Sequence, residues 1–186
     1  MKPQKVRRRL EQAVSSGRVM NLARDELGQD DRGFILSLSD HWVALQVLAD
    51  GVFVDGVVLL RVQDISAVRD AHSAYVARAL ERLEQSSASF AIPTGADARD
   101  LVVLAAELHP FSAFALADDG DEALMIGRLV KAGRRRARHR FIDVDGTWAD
   151  ADDRWRYDEI VIIHVGGRYI DALAGFGDPG LADLAP

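Results

Sequence analysis

There is no cysteine among the 186 residues, which excludes disulfide frameworks, thiolate metal sites and cysteine nucleophiles and makes a cytoplasmic location the expectation. Long apolar runs are missing as well. The stretches 57–60 and 101–106 are far shorter than the roughly 20 residues a bilayer-spanning helix requires, so no membrane partner is expected. The opening Met1-Lys2-Pro3-Gln4-Lys5-Val6-Arg7-Arg8-Arg9 is basic but lacks the apolar stretch that follows in a secretory signal. Neither compositional extreme is present: 48% apolar and 28% charged residues place the chain with ordinary globular proteins, not with disordered or collagen-like ones.

Charge, by contrast, is unevenly supplied. Residues 1–10 carry Lys2, Lys5, Arg7, Arg8 and Arg9, and residues 131–140 carry Lys131, Arg134, Arg135, Arg136, Arg138 and Arg140, with no acid in either decade. These are 11 of the 23 cations; the other 12 stand against 29 acids, a balance of −17 beneath the formal −6 of the whole chain. Segments this basic meet either an anionic partner or the protein's own acidic surface.

The chain repeats itself once, and a repeat has to be found before a fold is assigned. Leu22-Ala23-Arg24-Asp25 followed by Gly33 has its counterpart in Leu116-Ala117-Asp118-Asp119 followed by Gly127, an offset of 94. Asp50-Gly51 precedes Ile65 as Asp145-Gly146 precedes Ile160, an offset of 95, and Tyr75 and Tyr169 return to 94. On this spacing Leu10 falls on Leu104.

Each copy opens on helical periodicity, with Val6, Leu10, Ala13 and Val14 in the first and Leu101, Leu104, Ala105 and Leu108 in the second. Five strands are then expected in each, at 18–27, 32–38, 42–49, 54–63 and 65–69, and at 111–117, 123–131, 137–144, 154–158 and 160–165, separated by turn residues such as Ser39-Asp40 and Asp50-Gly51. A closing helix follows, carrying Tyr75, Val76, Ala79, Leu80 and Leu83 in one copy and Tyr169, Ile170 and Leu173 in the other. Five short antiparallel strands bury their faces and edges by bending into a small barrel. The expectation is therefore a mainly β chain with short helices: one barrel over residues 1–85, a linker at 86–94, a second barrel over 95–176 and a flexible tail at 177–186.

The helix-first order, Ile126-Gly127-Arg128-Leu129 and Asp64-Ile65-Ser66-Ala67-Val68-Arg69 resemble the Sm-like fold at its G-x-L strand and its short last strand. The whole chain also resembles a bacterial group with tandem copies of this unit, marked by Val54-Asp55-Gly56-Val57-Val58-Leu59-Leu60-Arg61 and by Gly166-Gly167-Arg168-Tyr169-Ile170-Asp171-Ala172-Leu173. The resemblance implies oligomers built by pairing of edge strands, and single-stranded RNA held by an Asp-x-x-Met-Asn-like loop and an Arg-Gly-like loop. Here the first loop reads Asp40-His41-Trp42-Val43-Ala44, with Ala44 in place of the base-contacting Asn, and Arg134-Arg135-Arg136 in the second copy. The second loop reads Val68-Arg69-Asp70 and Val165-Gly166-Gly167, without an intact Arg-Gly pair.

The strongest candidate site is the run Lys131, Arg134, Arg135, Arg136, Arg138 and Arg140, because clustered guanidinium groups at a strand turn attract phosphates and pair with them bidentately. The competing expectation is a hairpin in which Arg138 and Arg140 are compensated by Asp143, Asp145, Asp150, Asp152 and Asp153. Trp148, in the acidic loop, is the candidate anchor for a protein partner. Gly146 stands too early after Asp143 for a calcium loop, and Gly175, Gly177 and Gly180 follow a helix where a dinucleotide fingerprint would open one. The histidines His41, His72, His109, His139 and His164 lack metal-ligand spacing and suit ordinary surface or strand positions. Ser39-Asp40-His41 has triad residue types, but neighbours along a strand face opposite ways. No metal, cofactor or catalytic residue is expected. The leading functional expectation is a non-enzymatic binding or scaffolding protein, with RNA binding through the basic run as the alternative, an enzyme third, and homo-oligomers or an unknown protein as partners.

Overall fold

The computed structural model describes residues 2–25, 28–117 and 124–179, and these are mainly β with four short helices. It divides into two compact units, Met1–Ala96 and Asp97–Pro186. The first consists of α1 (Pro3–Ser16), β1 (Val19–Arg24), β2 (Gln29–Leu38), β3 (Trp42–Ala49), β4 (Phe53–Arg61), a 3₁₀ turn over Val62–Asp64, β5 (Ala67–Asp70) and α2 (Ala74–Arg82). The second runs α3 (Ala98–Leu108), β6 (Ser112–Leu116), β7 (Met125–Ala132), β8 (Arg136–Phe141), β9 (Asp153–Arg156), β10 (Ile160–Val165) and α4 (Arg168–Phe176). No helix among the described residues is long and apolar enough to cross a membrane.

All ladders within the units are antiparallel, and the strand order is the same in both: β5-β1-β2-β3-β4 in the first and β10-β6-β7-β8-β9 in the second. Among the described residues the end strands of each set are not joined to one another. Each set of five strands is therefore open along its ladder, whereas the sequence led to the expectation of a closed one. Opening α1, Pro3 supplies a preset φ at the first turn, and Gly17 ends the helix in the left-handed region at φ 60°. Its buried stripe of Val6, Leu10 and Ala13 lies against β2 and β5, as α3 lies against β7 and β10. A second apolar cluster joins α2, through Val76 and Leu80, to Val19, Phe34 and Leu48. Its counterpart joins α4, through Ile170 and Leu173, to Phe111, Ala113, Ile126 and Ile142.

The ladder registers fix which residues correspond. Gly33 is opposite Met20 and Val47, and Gly127 is opposite Ser112 and Phe141. Second and third strands are therefore 94 apart, as expected, but the first strands are 92 apart. Leu22 corresponds to Phe114, both fully buried, and not to the half-buried Leu116. The second unit therefore has two more residues between its first strand and Gly127 than the first unit has between its first strand and Gly33. A bulge recurs at one corresponding place, between Ile35 and Ser37 against β3 and between Leu129 and Lys131 against β8.

Residues 86–94, expected to be a linker, belong to the first unit and are bonded to its strands: Ala88 N donates to Gln46 Oε1 at 2.7 Å and Ile92 N to Ser37 Oγ at 3.1 Å. Just before them, Gln85 Oε1 accepts from Val54 N at 2.7 Å. Gly177 and Asp178, the start of the expected tail, are also held, by bonds from Gly177 N to Leu173 O (2.9 Å) and from Asp178 N to Gly146 O (2.8 Å). The rest of that tail, from residue 180, lies outside the described residues.

Candidate nucleic-acid interface

The site grows out of a strict period of two. In β8 the sequence Arg136-Ala137-Arg138-His139-Arg140-Phe141 sends Ala137 and His139 into the core, where both are fully buried, and sends three arginines to the other face. Lys131 of β7 is directly opposite Arg138, which is directly opposite Arg154 of β9. Arg136 is opposite Arg156, and Arg128 is opposite Arg140. Directly opposed residues have Cβ atoms about 5 Å apart, and like charges so placed are destabilising. Seven cations thus share one face of three strands.

Compensation on this face is partial. Asp152 bridges two of the arginines, with its Oδ2 3.1 Å from Arg138 Nε and its Oδ1 accepting from Arg140 Nε at 2.5 Å. The first of these is an ion pair without hydrogen-bond alignment, since Arg138 Nε lacks a hydrogen-bond partner among the described residues. Arg156 binds the Asp158 carboxylate through both Nε, at 2.8 Å, and Nη2. That carboxylate holds the guanidinium pKa above its ordinary value. Lys131, Arg134, Arg135, Arg136 and Arg154 make no ion pair with a described residue. Two clefts open among them, one of about 510 Å³ lined by Arg135, Arg136, Arg156, Tyr157 and Asp158, the other of about 240 Å³ lined by Lys131, Gly133, Arg136, Ala137, Arg138 and Arg154.

Arg154 and Arg156 were absent from the run that marks this site in the sequence. The available signal was their alternation around Trp155, which repeats the alternation around Ala137 in the neighbouring strand. The other basic segment is put to structural use in part: Arg7 pairs with Glu11 (3.2 Å) and Asp40 (3.0 Å), and Arg9 Nη1 donates to Val68 O at 2.6 Å.

Trp148 does not stand free as a partner anchor. Its indole is half-buried, meets Phe111 edge-on at 5.2 Å and donates through Nε1 to Asp178 O at 2.6 Å, closing the β8–β9 connection onto the end of α4. The acidic loop is a turn: Asp143 Oδ1 accepts from the amides of Asp145 and Thr147, each at 2.9 Å. Val68-Arg69-Asp70, read as a loop, lies inside β5, and the turn before it is Val62–Asp64. That turn, with Asp40 and His41, lines a cavity of about 550 Å³ beside the start of α1. No group of three or more His, Asp or Glu that could hold a metal ion occurs among the described residues.

His139 was expected at an ordinary surface or strand position. It is in a strand but fully buried, ringed by Phe114 (4.9 Å), Phe141 (5.1 Å) and Trp155 (5.6 Å), at the position that Leu45 occupies in the first unit. Neither ring nitrogen has a hydrogen-bond partner among the described residues. Burial lowers its pKa to about 3, against smaller opposing effects of the Gly127 backbone and the Asp152 carboxylate. The Gly127 backbone is thus near the ring without being aligned to bond it.

No protein-family model, curated protein or solved structure matches this chain.

Proposed function

We propose that the chain is a non-enzymatic binding protein built from two tandem Sm-like units, and that it holds an anionic partner against the outer face of the second. The tandem reading is supported by the helix-first order, the shared strand order, the recurring bulge and the two corresponding glycines. One observation carries the binding reading: the row Lys131–Arg138–Arg154, adjoining Arg136–Arg156. Placing like charges directly opposite one another lowers stability, and an anion in the row removes that cost. In the first unit Lys131, Arg138, Arg154 and Arg136 correspond to Ser37, Ala44, Leu59 and Trp42, and only Arg156 has a cationic counterpart, Arg61, so the row of cations is not required by the sheet.

The test is retention on heparin-agarose at low salt. Wild-type protein is expected to be retained and to elute with rising salt, and the triple variant Arg134→Ser, Arg135→Ser, Arg136→Ser to elute earlier. Wild-type protein passing through unretained overturns the reading.

A second reading, single-stranded RNA as the anion, is favoured by the exposure of Arg134 and Arg135 at the β7–β8 turn. Titrating labelled single-stranded RNA at two salt concentrations checks it. If all three arginines of the triple variant contact phosphates, their loss is expected to reduce the slope of log affinity against log salt by about 2. An unchanged slope, or no binding at low salt, eliminates RNA.

A further inference from the structure

The two units use the same face differently. In the first, the extended stretch after α2 crosses it, and Gln46 Oε1 and Ser37 Oγ receive the amides of Ala88 and Ile92. By ladder position Gln46 corresponds to Arg140, and Ser37 to Lys131. Two acceptors that hold a peptide in the first unit are therefore replaced in the second by groups that only donate. A chain crossing the second face has to present acceptors where the first presents amides.

The protein also shows what kind of acceptor fits. Asp152 places one carboxylate across Arg138 and Arg140, two residues apart on β8. Arg136, Arg138 and Arg140 repeat at about 6.8 Å along the strand, which is the spacing of alternate side chains in any extended peptide. At the next stations in this pattern Arg136, Lys131 and Arg154 make no ion pair with a described residue, and the nearby Asp158 carboxylate is bound to Arg156. Nucleic-acid bases find no stacking platform here. Trp155 and Phe141 point to the opposite face with His139, and Tyr157 is buried with its hydroxyl donating to Gly133 O at 3.0 Å. Stacking supplies a large part of sequence-tolerant single-strand binding.

We infer that the partner of this face is an extended acidic peptide segment, with carboxylates at alternate positions that continue the series begun by Asp152. This rests on the anion-binding reading above and narrows it to a chemical class. The experiment is fluorescence anisotropy of the full chain with three labelled probes of equal charge: a peptide of alternating Asp and Thr, an isomer with all Asp in one block, and an oligouridylate. The alternating peptide is expected to bind at least about tenfold more tightly than either of the others, since only it sets a carboxylate on each guanidinium. The double variant Arg136→Ser, Arg154→Ser is expected to lose that preference. Arg136→Lys with Arg154→Lys, which keeps charge and fold but not the guanidinium fork, is expected to retain binding with a reduced preference.

Equal affinity for the two peptides, or tighter binding of the oligouridylate, overturns the inference while leaving the anion-binding reading in place. Absence of binding to all three probes by protein that heparin retains does the same. Failure on heparin as well removes both.

Discussion

Replacing His139 by Leu is expected to stabilise the protein at neutral pH and to remove part of its sensitivity to acid. In the folded chain the imidazole is neutral, with its pKa lowered by burial from 6.5 to about 3. In the unfolded chain it takes up a proton near its ordinary pKa. Between these two values the unfolded state binds more protons, so stability falls as pH is lowered through the window, at about 1.4 kcal/mol per pH unit, and is unaffected by this group above it. From pH 6.5 to 4.5 the loss attributable to His139 is about 2.3 kcal/mol. The introduced leucine side chain fills the site as Leu45 does in the first unit and leaves no buried polar atom without a partner, a gain on the order of 1–2 kcal/mol. Urea unfolding of both proteins at pH 7 and pH 4.5 separates the effects, because the carboxylates titrate alike in each. The stability difference between them is expected to widen by at least about 2.3 kcal/mol on acidification. A difference that stays constant would show that the histidine is protonated or solvated in the fold.

The second large effect is expected at the paired glycines. A Cβ built on Gly33 would lie 1.9 Å from Gln46 O, and one on Gly127 would lie 2.0 Å from Arg140 O. Gln46 and Arg140 occupy corresponding positions. Both close approaches are backbone to backbone within a ladder, so no side chain can swing away to relieve them. Gly33→Ala or Gly127→Ala has to push the third strand off the second, at a cost of about 3 kcal/mol or more, which lowers the melting temperature by roughly 10 °C. Gly175→Ala is the control, since a Cβ there meets nothing within 4 Å. If the two strand variants melt with the control, the strands are not in van der Waals contact at these points, and the proposed equivalence of the units loses its strongest single support.

Much of the fold was legible in local pattern. The stripe Val6, Leu10 and Ala13, the alternation along β8, and the turn residues before β3 and β4 announce helix, strand and hairpin because each depends on neighbours a few positions away. Gly33 and Gly127 were legible as a pair for the same reason. The position of the first strand was not. Spacing alone set Leu22 on Leu116, whereas the ladder sets it on Phe114, because only the partner strand shows that the second unit has two more residues between its first strand and its glycine.

The candidate site divides along the same line. Its cations in β8 were visible as a run, but Arg154 and Arg156 join them through pairing with a strand more than a dozen residues away, past the Asp-rich loop. The burial of His139 between two half-buried arginines, the commitment of Trp148 to Asp178 and the seating of residues 88 and 92 on Gln46 and Ser37 are likewise long-range outcomes. By itself the sequence determined the number and kind of elements, their duplication and the placement of charge along the chain, since these follow from periodicity and composition. Only the tertiary structure decided which face each side chain shares and with whom, because a strand's neighbours are chosen by register across the sheet and not by order along the chain.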